Sequence, residues 1–332
     1  MSPRFILAVT DFSAHGTHAL DRAALLGAEH GAALTLAYLG PSEAPPADAA
    51  SRLGQHARQL AQLHGIKVRA AGRLARHVKE LLPEVSAADL VVWGTARVRS
   101  LRSFLLGQPV DELLRSARRP VLLVRRRAEH PYCKLLVAVD FSEASPSLVD
   151  VGLAVSKTAP VELFHAIDTI NERKLRQAEV SERDIKVYRA QCLRHAQDRM
   201  AGLTDSYDAR RNRVQSAVGR GDPSLQALVQ QQRSGSDLIV VGKHPASAFS
   251  DLMFESVSAR IVNYSAGDDT RSDVLIVPHD WQAALGTSAA TRLGARQGGA
   301  QRMRAGAPKT PAGPNPAALQ AGARRTAKAS LA

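Results

Sequence analysis

The sequence predicts a tandem of two doubly wound α/β domains, each built on a five-stranded parallel sheet, followed by a disordered basic tail. Three observations predict this fold class. A run of residues near the start recurs in the middle of the chain, most predicted strands are continuously apolar, and the C-terminal segment has almost no large apolar side chains. With 332 residues, the chain is long enough to fold as two ordinary domains.

The recurring run marks the start of each domain. FILAVTDFSAHGTHAL at 5–20 matches KLLVAVDFSEASPSLV at 134–149, and each indicates a buried strand that ends in Asp-Phe-Ser and leads into an amphipathic helix. We expect Gly31 to end the first of these helices. In the second, we expect Ser145 at the N-cap and Pro146 at the first helical position.

Four further strands are predicted in each copy, with helical patterns between them. They lie at 33–39, 67–74, 88–94 and 119–126 in the first copy, and at 161–167, 213–220, 236–242 and 272–278 in the second. Continuously apolar strands are buried on both faces, as in a parallel sheet that helices cover. Right-handed crossovers then favour a doubly wound, Rossmann-like sheet with five strands and four helices per copy.

The second copy is longer than the first, and the extra residues lie near 171–203. Six side chains recur there at helical spacing, namely Ile185, Tyr188, Cys192, Ala196, Met200 and Leu203. We interpret the insertion as a lengthened second helix whose apolar stripe packs in the core and does not bind a cofactor.

These patterns divide the chain into a first repeat at 1–128, a second repeat at 129–280 and a tail at 281–332. The tail contains eight lysines and arginines and no acidic residue, so the net charge of +13 leaves only +5 for the two repeats. Its Ala-, Gly- and Pro-rich composition predicts disorder. Such a tail could make weak contact with nucleic acid or another acidic surface through counterion release, although it lacks interleaved aromatic residues.

The sequence predicts a cytoplasmic protein without membrane insertion, disulfide or metal site. No apolar run approaches the roughly 20 residues that span a bilayer, and the run at 5–9 is too short for a signal peptide. Cys133 and Cys192 lack C-x-x-C spacing and a surrounding cluster of histidines, while His15 and His18 lack a third ligand.

Candidate binding residues follow the first and fourth strands of each repeat. In an open parallel sheet, ligands bind beyond the carboxyl ends of the strands, where the strand order reverses. If these two strands are neighbours, the residues after them face one crevice. They are Asp11, Ser13, Gly94, Thr95, Arg97 and Gly107 in the first repeat, and Asp140, Ser142, Gly242, Lys243 and His244 in the second. At the end of the second strand, Tyr38 and His165 are expected as half-buried side chains and not as ligand contacts.

Taken in order, these motifs resemble the universal stress proteins. In both repeats an aliphatic strand ends in D-x-S, a strand of the type DLIVVG follows, and a loop and short helix lead to a strand such as PVLLV. The chain looks like a tandem of two such domains, of the adenine-nucleotide alpha-hydrolase-like fold. The resemblance implies a role in stress adaptation and pairing of the two fifth strands. In the nucleotide-binding branch of the family, one loop wraps an ATP whose adenine lies near the strand-1 aspartate. This loop reads G-x-x-G, then nine residues, then G followed by Ser or Thr.

Both repeats depart from that loop. In the first repeat Gly94 and Gly107 match, but Arg97 replaces the second glycine and Gln108 replaces the hydroxyl residue. The glycines let backbone N–H groups approach phosphate oxygens, so Arg97 costs the loop this freedom, although Arg97, Arg99 and Arg102 could bind an anion through their side chains.

The second repeat departs further. Gly242 and Ser256 match, but Pro245 removes an N–H donor and Glu255 places a carboxylate where a phosphate would lie.

The sequence therefore predicts a non-catalytic ligand-binding or interaction scaffold with degenerate nucleotide sites and no bound cofactor. The candidate site residues are Asp11, Ser13, Gly94, Arg97, Gly107 and Gln108, together with the second-repeat set of Asp140, Ser142, Gly242 and Ser256. The alternative is an ATP-binding protein with slow hydrolysis or autophosphorylation through the first repeat. The chain has no G-x-S-x-G elbow, Walker loop or paired carboxylates, so no catalytic residue is predicted. Further pairing into homo-oligomers stays open.

Overall fold

A computed structural model describes residues 2–40, 45–94, 109–207, 214–243, 261, 272–279 and 281. Several predictions fall outside these residues. They concern Arg97, Gly107, Gln108, Ser256, the remaining loop residues at 95–108 and 244–256, and the tail after 281.

The first repeat alternates strands and helices as predicted. Its elements are β1 (Phe5–Thr10), α1 (Ala14–His30), β2 (Ala33–Leu39), α2 (Ala49–His64), β3 (Val68–Ala75), α3 (Val78–Ala87), β4 (Leu90–Gly94), α4 (Pro109–Ser116) and β5 (Val121–Val124). Gly31 ends α1 in the left-handed conformation, with φ of 65°, as predicted.

The second repeat has the same order of strands. Its elements are β6 (Leu135–Ala138), α5 (Ser145–Val155), β7 (Val161–Ile167), α6 (Ile170–Gln177), α7 (Glu182–Ser206), β8 (Val214–Arg220), α8 (Pro223–Ser234), β9 (Leu238–Lys243) and β10 (Asp273–Pro278). Its predicted fourth helix falls between β9 and β10, almost wholly outside the described residues. The N-cap of α5 is Ala144, so Ser145 lies one position later than predicted, and its hydroxyl donates to Asp140 Oδ1 at 3.0 Å.

The ten strands form one sheet in the order β3-β2-β1-β4-β5-β10-β9-β6-β7-β8. The strands within each repeat are parallel, and β5 pairs with β10 in the antiparallel sense, with Val121 opposite Ile276 and Leu123 opposite Val274. The predicted doubly wound fold and the predicted pairing of the fifth strands are thus confirmed. This pairing covers the edge that each repeat would otherwise expose.

Alternate side chains of each central strand enter different halves of the core. In β1, Ile6 and Ala8 pack in one hydrophobic cluster, whereas Leu7 and Val9 pack in the other, and all four are buried. Helices therefore cover both faces of the sheet, which explains why its strands are continuously apolar. Trp281, assigned to the tail from the sequence, is buried in the first of these clusters and so belongs to the fold.

The insertion forms two helices, α6 and α7, and not the single lengthened helix predicted. Between them Glu179 adopts a φ of 55°, and Ser181 caps α7 by accepting a hydrogen bond from the Asp184 N–H at 3.2 Å. The predicted packing role holds for Ile185, Ala196 and Met200, which are buried along α7.

A buried polar cluster joins the two repeats. The Asp273 carboxylate of β10 accepts hydrogen bonds from the Tyr132 hydroxyl at 2.7 Å and the Arg125 N–H at 2.9 Å. Arg22 of α1 lies 3.4 Å from the same carboxylate, stacks 3.9 Å above the Tyr132 ring, and donates to the His130 carbonyl oxygen at 2.9 Å. The first repeat, the connector and the last strand therefore share one set of polar contacts.

Candidate functional site

Each repeat has a crevice where two neighbouring parallel strands end. β1 pairs with β4 and β6 pairs with β9, so the condition on which the predicted crevices depend is met. Asp11 Oδ1 accepts from the Ser13 N–H at 2.9 Å, and Asp140 Oδ1 accepts from the Ser142 N–H at the same distance. Each carboxylate thus forms an Asx turn that leads the chain from a strand towards a helix.

The phenylalanine between aspartate and serine has a positive φ in both repeats. Phe12 has a φ of 63° and Phe141 a φ of 59°. A residue with a Cβ atom pays about 1–2 kcal/mol for this left-handed conformation. The turn hydrogen bonds and the contacts of the two rings offset this cost.

Each phenylalanine ring contacts an aromatic side chain and an arginine. In the first repeat Phe12 stacks on Tyr38, with ring centroids 4.9 Å apart, and the Arg52 guanidinium lies 4.3 Å from the Phe12 centroid. In the second, Phe141 packs 4.2 Å from His165, and Arg199 lies 5.4 Å from its centroid.

Arg199 also donates to the Phe141 carbonyl oxygen at 2.6 Å. The sequence analysis did not identify these phenylalanines and arginines as part of the crevices. The recurrence of phenylalanine within both D-F-S motifs was the available signal.

Gly94 lies where β4 meets the first turn of α1. A Cβ atom at this position would lie 2.0 Å from the His15 carbonyl oxygen, so packing alone requires glycine here. Ser13 is the N-cap of α1 and accepts from the Gly16 N–H at 3.1 Å. Three of the six first-repeat candidates, Asp11, Ser13 and Gly94, therefore have structural roles in forming this crevice.

The second crevice contains a cavity of about 320 Å³. The ends of β6, β7, β9 and β10 and the start of α5 line it, mostly with apolar side chains. Three predicted residues, Asp140, Ser142 and Gly242, are among the lining residues. A Cβ atom on Gly242 would lie 3.2 Å from His279 Nε2, so this glycine is less tightly constrained by packing than Gly94.

The polar groups of this cavity include several hydrogen-bond acceptors. His165 Nδ1 lies 2.8 Å from the Val139 carbonyl oxygen, which can only accept, so Nδ1 carries the proton and Nε2 is an acceptor. Burial lowers the pKa of His165 although the Val139 carbonyl opposes this, so the ring is neutral at pH 7. Ser142 Oγ and Trp281 Nε1 are buried without a hydrogen-bond partner among the described residues.

Titratable side chains are few in the described lining. Asp140 is the only acidic side chain of the described lining, which has no lysine or arginine and whose other titratable side chains are His165 and His279. Lys243, a predicted crevice residue, donates from its ammonium group to the Leu114 carbonyl oxygen of the first repeat.

Two stretches of the chain, residues 4–125 and 131–278, match the family model described as "Universal stress protein family". The chain belongs to the universal stress protein family.

No described helix combines the length and the apolar character needed to cross a membrane. A comparison with curated proteins finds no match.

Solved structures share the fold of this tandem universal stress protein. A universal stress protein from Archaeoglobus fulgidus DSM 4304 has a TM-score of 0.60 and 16% sequence identity, over 82% of this chain and 96% of that chain. A protein of unknown function from Pseudomonas aeruginosa PAO1 has a TM-score of 0.57 and 18% identity, over 87% of this chain and 98% of that chain. Similarity at this identity supports the tandem fold, and the function has to be argued from the site itself.

Proposed function

We propose that this universal stress protein is a non-catalytic scaffold that binds a small, largely apolar ligand without phosphate in the cavity of the second repeat. The observation that carries the proposal is the composition of the described lining, which has the Asp140 carboxylate and no lysine or arginine. Phosphate groups bind to clusters of N–H donors or to cations, and a carboxylate repels them. A degenerate nucleotide site in this repeat is therefore the hypothesis that fits its chemistry.

The acceptors favour a ligand that carries hydrogen-bond donors. The Asp140 carboxylate and His165 Nε2 can both accept from N–H or O–H groups of a ligand whose body packs on apolar side chains such as Phe164 and Leu148. A neutral or cationic heterocycle has this combination of groups. The cavity volume of about 320 Å³ is within the range of small-molecule sites.

The hydrogen bonds of the polar side chains support the absence of catalysis. His165 donates to a backbone carbonyl, whereas the histidine of a catalytic triad is oriented by a carboxylate. Asp140 Oδ1 accepts from the Ser142 N–H and the Ser145 hydroxyl, which gives this oxygen a role in the turn.

The second candidate function is ATP binding, with slow hydrolysis or autophosphorylation, in the first repeat. The observation that favours it is the Arg52 guanidinium, which lies over Phe12 next to the strand-1 turn and gives this crevice a cation in the described residues. The second crevice has its own stacked arginine, Arg199, but this side chain is not part of the described cavity lining.

Thermal unfolding of the full chain with panels of small molecules tests the proposal. Ser147 lines the cavity, so Ser147→Phe should fill it, while Glu143→Phe on the neighbouring exposed position is the matched control. We expect heterocycles that carry donors to raise the Tm of the wild type and of Glu143→Phe but not that of Ser147→Phe. ATP with Mg²⁺ should raise none of them. An increase with ATP that persists in Ser147→Phe would support the first repeat as the working site instead.

A further inference from the structure

Three side chains with metal-ligating atoms meet where the connector between the repeats joins the second repeat. They are His130 and Cys133, which are exposed, and Asp237, which is buried immediately before β9. One ligand atom from each lies within 4.8 Å of the other two. This cluster lies apart from both crevices and includes none of their described residues.

The sulfur and the imidazole nitrogen already have the spacing of two ligands on one ion. Cys133 Sγ lies 3.5 Å from His130 Nδ1. Tetrahedral zinc, with bonds of about 2.3 Å to sulfur and about 2.0–2.1 Å to nitrogen, places such a pair of atoms about 3.5 Å apart. Binding an ion between them therefore requires little movement of either side chain.

Backbone hydrogen bonds hold the third ligand beside this pair. Asp237 Oδ2 accepts from the Cys133 N–H at 2.9 Å, and Oδ1 accepts from the Lys134 N–H at 3.0 Å. The carboxylate is thus anchored to the same segment that carries the thiol. Arg126 Nη2 lies 3.9 Å from Asp237 Oδ2, and this side chain is 36% exposed, so it can turn to solvent when a cation enters.

The Pro131 carbonyl oxygen lies within hydrogen-bonding distance of both exposed side chains. His130 Nδ1 lies 2.9 Å and Cys133 Sγ 3.6 Å from the Pro131 carbonyl oxygen, which can accept a hydrogen bond from either of them. When an ion binds, the thiol releases its proton to solvent and becomes a thiolate. The imidazole stays neutral and carries its proton on Nε2, so that Nδ1 can ligate.

We propose that His130, Cys133 and Asp237 bind one Zn²⁺ ion, with the fourth tetrahedral position left to water. A thiolate, an imidazole and a carboxylate in a tetrahedral arrangement are a ligand set that suits zinc. The ion would fasten the connector to the start of β9. The His130 carbonyl oxygen also accepts from Arg22 of the first repeat, so the bound ion would stiffen the connection between the repeats.

Cobalt substitution in the full chain tests this site directly. Co²⁺ bound to a thiolate gives a sulfur-to-metal charge-transfer band, which a site without cysteine lacks. We expect one equivalent of Co²⁺ to produce this band in the wild type and in Cys192→Ser, the matched control, and Zn²⁺ to displace it. Cys133→Ser should abolish the band. His130→Ala should weaken binding by more than about 100-fold, beyond the loss that follows removal of an outer-shell partner.

Two outcomes would overturn the proposal. One is the absence of the band in the folded wild type, and the other is a band that survives in Cys133→Ser but disappears in Cys192→Ser. His130 and Cys133 are exposed, so their variants should fold, which circular dichroism would verify. Asp237→Asn should weaken binding as well. If that variant fails to fold because its backbone contacts are lost, the two exposed variants still decide the question.

Discussion

The buried carboxylate of Asp273, which joins the two repeats, allows a quantitative prediction. Asp273→Leu removes the counter-ion of Arg22, whose side chain is 1% exposed, and the acceptor of the Tyr132 hydroxyl. Removing one partner of a buried ion pair costs about 3–5 kcal/mol, because the other charge stays buried and uncompensated. We expect Asp273→Leu and Arg22→Leu each to lower the free energy of unfolding by this amount.

The double variant should lose much less than the sum of the two. Burial raises the pKa of Asp273 even though Arg22 and the hydrogen-bond donors oppose it, so the carboxylate is incompletely compensated. Replacing both charges with leucine removes the charge imbalance, so the remaining cost comes from the Tyr132 hydroxyl and the Arg125 N–H, which lose the Asp273 acceptor at about 1–3 kcal/mol each when unpaired.

Urea unfolding of the four chains, followed by circular dichroism and tryptophan fluorescence, measures this coupling. Glu182→Gln, which breaks an exposed ion pair with Arg176, is the control and should cost less than about 1 kcal/mol. Additive losses in the double variant, or a loss below about 1 kcal/mol for Asp273→Leu, would refute the proposed role of the cluster.

Three further substitutions have defined outcomes. Burial would raise the pKa of Glu172, but hydrogen bonds from two arginines more than offset this effect and lower the pKa. The ionised carboxylate therefore stabilises the fold above about pH 4.3, and this stabilisation is lost as the pH falls further. Glu172→Gln should flatten the acid side of a Tm–pH profile, and an unchanged profile would contradict this. Gly94→Ala should lower the free energy of unfolding by about 1–3 kcal/mol, because the added Cβ atom would meet the His15 carbonyl oxygen. In the same urea assay the loss should be larger than that of Gly242→Ala, and equal losses would contradict the packing role of Gly94. Glu179→Gly should raise stability by about 0.5–1 kcal/mol, because it relieves a φ of 55°, and a lower Tm would show that the side chain matters more than the backbone.

The strands were the most predictable part of the fold. The runs predicted at 33–39 and 161–167 coincide with β2 and β7 at both ends. Burial on both faces marks the whole length of such strands with apolar side chains. β4 and β5 are shorter than predicted, because the runs predicted at 88–94 and 119–126 include flanking residues such as Asp89, Pro120 and Arg125, which lie outside the strands.

The break between α6 and α7 was not predictable from the spacing of apolar residues. Glu179 adopts its left-handed conformation without a glycine or proline to announce the turn. Trp281 was assigned to the tail because the composition changes there, yet one large apolar side chain was enough to bring this position into the core.

The crevices were predictable only in part. Strand order brings Asp11 near Gly94 and Asp140 near Gly242, and the sequence could name these residues once the first and fourth strands were taken as neighbours. The contacts of Phe12 and Phe141 also involve Arg52 of α2 and Arg199 of α7. The positions of these arginines depend on how the two helices, which differ in length, are rotated against the sheet. The cluster at Cys133 depends on Asp237, 104 residues further along the chain, so local spacing could not indicate it.

Native mass spectrometry of the purified full chain tests most directly whether the second repeat is a degenerate nucleotide site with a ligand of its own. We expect a bound small molecule without phosphate that is retained in Glu143→Phe and lost in Ser147→Phe, where the added ring fills the cavity. A bound mass equal to ATP that disappears in Ser147→Phe would contradict this, because it would show that a cavity with one carboxylate and no described lysine or arginine still holds a triphosphate.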